Sequence, residues 1–210
     1  MGKSTNVFFR VLEIFTNFLV LNILWIIFCI PVITIFSSTA AMVGVTRKWL
    51  TKEIDYGVFK PFFQLFKENL KQGIGLQFLW IGLGMILITD FYIVLLFEFP
   101  GQTIIFGLTI FASIIYLMMS VYLFPLMVNY HLSIRGLLKN SLFLSIGSIG
   151  TTFLCLLILL TMGILSYYLP FMVLVFGSIL SFVIFSLCNR IFEKHKVQLG
   201  NYSVQNIQPE

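Results

Sequence analysis

RKWLTKEIDYGVFKPFFQLFKENLK, residues 47–71, sets the reading of everything around it. It carries Arg47, Lys48, Lys52, Lys60, Lys67 and Lys71 against Glu53, Asp55 and Glu68, so six of the chain's thirteen basic residues fall in this one stretch. Apolar runs lie on both sides of it, and loops with this bias are retained on the cytoplasmic face of a membrane. Its second half also has helical order. At about 100° per residue, Phe62, Phe63, Leu65, Phe66 and Leu70 gather on one face, and Gln64, Lys67, Glu68, Lys71 and Gln72 gather on the other. Pro61 suits a first helical turn, where its missing N–H is not needed. The pattern predicts a helix near 59–72 lying in the headgroup layer. The same pattern fits an amphipathic helix packed on the protein's own cytoplasmic surface.

Outward from this stretch, composition decides the class. Charged residues make up 10% of the chain and hydrophobic residues 59%, and the mean hydropathy is +1.02. No soluble fold of this length hides that much apolar surface. The expected fold is all-α: a polytopic membrane helical bundle of about five transmembrane helices plus the cytoplasmic interfacial helix. It forms one membrane domain over 1–197 with a polar tail at 198–210. The net charge of +5 flanks apolar runs in the manner of topology signals, so the lipid bilayer is the expected partner and nucleic acid is not.

The spans are expected near 16–36, 73–97, 103–127, 141–165 and 167–189. The first is about 31 Å long as a helix, enough to cross the hydrocarbon layer. Pro31 should bend or break it. Two paths follow. Either the segment crosses fully, leaving Lys3 and Arg10 outside and the other eleven basic residues inside, or the chain turns near Pro31 and returns as a hairpin with all thirteen inside. Charge counting leans to the hairpin, whereas the ban on lipid-exposed irregular backbone leans to full crossing, which is the path expected here. Asn17 and Asn22 should face other helices, because unpaired amides are costly in hydrocarbon.

In the second span Gly73, Gly75, Gly82 and Gly84 allow close helix contact. Asp90 is the one acidic residue that could sit within a span, where a carboxylate is a candidate functional group, although Tyr92 beside it also fits an interface position. The third span is expected to end at Pro125, and Asn129, His131, Arg135 and Lys139 follow as a second basic loop. In the fourth, Gly147 and Thr151 are spaced for packing on a neighbour. Tyr167, Tyr168 and Pro170 mark an uncharged outer turn, and Arg190, Lys194 and Lys196 hold the C-terminus in the cytoplasm. Phe66-Lys67-Glu68-Asn69 and Leu137-Leu138-Lys139-Asn140 each precede a pair of spans, a weak internal echo.

The sequence argues against an enzyme. Cys29, Cys155 and Cys188 are far apart in the chain and read as small buried hydrophobes, and His131 and His195 stand singly, so no metal or cofactor site is expected. No paired-carboxylate motif or nucleophile elbow is visible.

Asn22-Ile23-Leu24-Trp25, Ile30-Pro31-Val32-Ile33-Thr34, Ser38-Thr39-Ala40-Ala41-Met42, Val58-Phe59-Lys60-Pro61-Phe62-Phe63 and Phe66-Lys67-Glu68-Asn69 together resemble the YesL family of bacterial membrane proteins, also called domain of unknown function 624. The family typically has a glycine-proline pair where this chain has Phe36-Ser37-Ser38. The resemblance implies a bacterial cell membrane location. It also implies association with carbohydrate ABC uptake systems, near which family members are often encoded, and so permease subunits as partners. It supplies no catalytic residues. The candidate functional or partner surface is Asn22, Trp25, Pro31, Thr34, Arg47, Lys48, Phe62, Phe66, Lys67, Asn69 and Asp90. The leading expectation is a non-enzymatic accessory or regulatory protein. The alternative is a small secondary transporter or channel with Pro31 and Asp90 near its path, and a homo-oligomer fits either.

Overall fold

The computed structural model describes residues 7–51, 57–98, 100–130, 132–169 and 173–194. Lys52, Glu53, Asp55, His131, Pro170, His195, Lys196 and the tail at 198–210 lie outside the described residues. Helices α1 (Val7–Cys29), α2 (Ile35–Leu50), α3 (Phe59–Leu96), α4 (Gln102–Asn129), α5 (Ile134–Gly147), α6 (Ile149–Tyr168) and α7 (Val173–Lys194) follow one another, with a 3-10 turn at Val32–Thr34 before α2. Five of them, α1, α3, α4, α6 and α7, are long and apolar enough to cross a membrane. The chain is a multi-pass membrane protein. At 16 and 14 residues, α2 and α5 reach only about 24 and 21 Å, short of a hydrocarbon core of about 30 Å.

Local chemistry accounts for several helix ends. Arg47 and Lys48 stand in the last turn of α2, where cations complement the helix dipole. Gly101, at φ 86°, supplies the left-handed residue that turns the chain into α4. The Ser133 hydroxyl accepts from the Gly136 N–H at 3.3 Å and caps α5.

The short helix α2 is the hub. It packs against α1, α3, α4 and α7, and ten of its sixteen residues are buried. Small residues allow this: Ser37, Ser38, Ala40, Ala41 and Gly44 let the neighbouring backbones approach. Its two sides feed two cores. Ala40 and Val43 join Leu76, Trp80, Tyr122 and Leu126 from α3 and α4. Ala41, Met42, Val45 and Trp49 join Leu21, Phe62 and Leu65 from α1 and α3. Most of the remaining apolar surface, including Phe78, Met85, Leu108 and Phe153, is exposed, as lipid contact requires.

Four expectations about the helices change. The path near Pro31 is the hairpin: α2 returns along α1, with Trp25 against Thr39 and Phe18 against Trp49, so the N-terminal half of α1 and Arg47 share one end. The objection to the hairpin, an irregular backbone in lipid, is met because side chains of the protein itself bond the carbonyls freed at the turn. The stretch 59–72 and the span from 73 are one continuous 38-residue helix, since no residue between them interrupts the ladder. Pro125 does not end the third span. It lies buried inside α4, which runs on to Asn129. The segment at 141–165 is split at Ser148 between α5 and α6.

Candidate functional site

The break at Pro31 is built from hydroxyls and one amide. Leaving α1, the chain loses its helical donors, and carbonyls freed inside a membrane must find others. The Thr34 hydroxyl lies 2.7 Å from both the Phe28 and the Pro31 carbonyls, and the Ser38 hydroxyl lies 2.8 Å from the Phe28 carbonyl. From α3, the Gln77 side-chain N–H donates to the Val32 carbonyl at 2.6 Å while its Oε1 accepts from the Phe36 N–H at 3.1 Å. Gln77 is buried. Pro31 itself is exposed, as are Ile30, Val32 and Ile33.

The other polar candidates on α1 also hold helices together. Asn22 is buried against α7, where a Cβ on Gly177 would collide with its side chain. The Trp25 indole donates to the Thr39 hydroxyl at 3.1 Å. Trp25 and Thr39 line an apolar cavity of about 340 Å³ between α1, α2, α4, α6 and α7, along with Phe124, Leu159 and Ile184.

At the basic end the sequence candidates converge. Arg47, Lys48 and Asn69, joined by Glu68, Gln72, Asn129 and Tyr130, line a polar cleft of about 290 Å³ between α2, α3 and the end of α4. Arg47 donates from a guanidinium nitrogen to the Val128 carbonyl at 2.6 Å, closing one of the last carbonyls of α4. The Gln72 side chain donates to the Leu132 carbonyl at 2.5 Å, and Asn69 donates to the Leu65 carbonyl at 2.8 Å. Burial pushes the Tyr130 phenol above its usual range, opposed by a hydrogen bond with Asn129 and reinforced by the Glu193 charge. Around the cleft the rim is cationic: Lys60, Lys67, Lys71, Arg135, Lys139, Arg190 and Lys194 are all exposed.

The phenylalanine face of the amphipathic turns is divided. Phe62 is fully buried, and it and Phe66 meet Phe28 of α1 with ring centres 5.6 and 4.8 Å apart, whereas Phe59 stays 60% exposed. Asp90 is partly exposed and stands thirteen residues beyond Gln77 on α3, so about 20 Å along the helix from the Pro31 break. The structure does not bring Pro31 and Asp90 together.

Sequence reasoning missed Gln77, Ser38, Tyr122 and Thr152. The signal for Gln77 was an amide in mid-span, where an unmet polar group is expensive. Tyr122 and Thr152 share a hydrogen bond of 2.9 Å between α4 and α6. Cys155 and Cys188 are buried, as expected of small hydrophobes, and their thiols, remote in sequence, contact each other across α6 and α7. Gly73, Gly75 and Gly84 face close neighbours, but a Cβ on Gly82 or Gly147 would meet nothing within 4 Å. Among the described residues no group of three or more His, Cys, Asp or Glu could hold a metal ion.

Residues 18–91 match the family model described as "Protein of unknown function, DUF624". Three proteins of Bacillus subtilis (strain 168) are similar over most of their length. Uncharacterized protein YesV is 31% identical across 85% of this chain and 88% of its own. Uncharacterized protein YteU is 28% identical across 77% and 73%, and uncharacterized protein YesL 26% identical across 82% and 83%. No solved structure matches the chain. The matched region spans the second half of α1, the Pro31 break, α2 and most of α3, so it contains the hub helix and two walls of the polar cleft.

Proposed function

The chain belongs to the DUF624 family, and from that premise we propose that it is a non-enzymatic membrane protein that assists or regulates a carbohydrate ABC uptake system by docking its permease subunits. The observation that carries this reading is the division of polar groups. Those in the apolar interior, Thr34, Ser38, Gln77, Tyr122 and Thr152, are engaged in holding helices. Exposed charge is concentrated on the rim at one end, around Lys60, Lys67 and Lys71. Positive charge beside spans is retained in the cytoplasm, so the rim and the C-terminus face the cell interior, where a partner's cytoplasmic loops are within reach. The carbohydrate assignment rests on the family resemblance and the docking assignment on the rim. Affinity purification from native membranes in mild detergent is expected to co-isolate permease subunits of a carbohydrate uptake system, and Lys67→Glu with Lys71→Glu should weaken the association. Purification that never retains a permease subunit, while other membrane complexes survive, would overturn the reading.

A further inference from the structure

The polar cleft has walls of both signs. Lys48 and Arg47 come from the last turn of α2, and Glu68 comes from α3, where one carboxylate oxygen accepts from the Gln64 side chain at 2.8 Å. The third wall is the end of α4. A helix C-terminus presents carbonyls without intrahelical donors and carries the negative end of the dipole, so it too favours a cation. Arg47 satisfies one such carbonyl, at Val128. A purely anionic ligand would meet Glu68 and these carbonyls, and a purely cationic one would meet Lys48 and Arg47.

We propose that the cleft binds a zwitterionic headgroup carrying a phosphodiester and a primary ammonium, with the phosphate at Lys48 and Arg47 and the ammonium at Glu68 and the carbonyl end of α4. The cleft lies where the α4 span ends at Asn129 and the cationic rim begins, which is headgroup depth, so the source is a membrane phospholipid of the phosphatidylethanolamine type. Basic pockets between transmembrane helices at this depth are suited to lipid headgroups, and Glu68 narrows the choice here to a headgroup that also donates. A quaternary ammonium cannot donate a hydrogen bond to the carboxylate, and a glycerol headgroup brings no cation.

The test is native mass spectrometry of the full chain in neutral detergent, titrated with phosphatidylethanolamine, phosphatidylcholine and phosphatidylglycerol of matched acyl chains. Soluble glycerophosphoethanolamine serves as competitor. Phosphatidylethanolamine should be retained about three- to fivefold over the other two, the size expected of one partly exposed ion pair. Glu68→Gln should abolish its advantage over phosphatidylglycerol, Glu68→Lys should reverse it, and Lys48→Gln should weaken all three lipids. Both side chains are at least partly exposed, so these variants keep the core intact. Equal retention of the three lipids, or a preference unchanged in both Glu68 variants, would overturn the site. Competition by glycerophosphoethanolamine as effective as whole lipid would overturn the lipid source and assign a soluble solute.

Discussion

The chain interrupts its apolar helices at Pro31 and again at Ser148, and the two interruptions are held differently. At Pro31 the freed carbonyls of Phe28, Pro31 and Val32 are met by Thr34, Ser38 and, from α3, Gln77. At Ser148 backbone bonds persist, with the Thr152 N–H donating to the Ser148 carbonyl at 3.0 Å, and the Thr152 hydroxyl, 3.0 Å from the Ser145 carbonyl, is steadied by the Tyr122 phenol from α4. Each break therefore recruits one side chain from a helix it does not belong to. Only the first has a proline. The second, with Ser148 at φ −132° and ψ 49°, shows that a break here needs no proline, provided polar side chains close the backbone.

Variants can break or sharpen this contrast, read as thermal unfolding in detergent. Gln77→Leu should be the most damaging, at about 3 kcal/mol, because it strands both the Val32 carbonyl and the Phe36 N–H. Gly73→Ala follows at about 2 kcal/mol, since the new Cβ would lie 2.9 Å from the Ser37 nitrogen and 3.0 Å from its Cα, backbone atoms that cannot swing aside. Thr152→Val keeps the shape at the second break and removes its hydroxyl, for a loss of about 1 kcal/mol. Pro31→Ala should cost least, under about 1 kcal/mol, because the bonds from Thr34, Ser38 and Gln77, rather than the exposed pyrrolidine ring, hold the break. A Pro31→Ala loss larger than that of Gln77→Leu would reverse the assignment. Equal losses for Gln77→Leu and Thr152→Val would make the two breaks equivalent.

The contrast also explains what could be read from residues alone. Five spans, the basic end and the Pro31 break were legible because hydropathy, charge and proline act locally. The Ser148 break was hidden because glycine beside serine in an apolar run also fits ordinary helix packing, and Gly147 turns out to face open space. Joining 59–72 to the following span was hidden for the opposite reason: Gln72-Gly73 looked like a boundary, yet Gly73 is there to admit α2. In the candidate site, Arg47 read as a topology signal. Its bond to Val128, 81 positions away, leaves no periodic trace, and neither does the meeting of Glu68 with Lys48 in one cleft.

The burial of α2 among four neighbours has a consequence for biosynthesis. One of its locks, Thr46 against Ser181 at 3.1 Å, joins residues 135 positions apart, so α7 must be synthesised before that contact can form. Until α7 emerges, the nascent hairpin carries the Thr46 hydroxyl with no α7 partner. A protein truncated before α7 is therefore expected to be recognised and degraded by membrane quality control rather than to accumulate as a stable fragment.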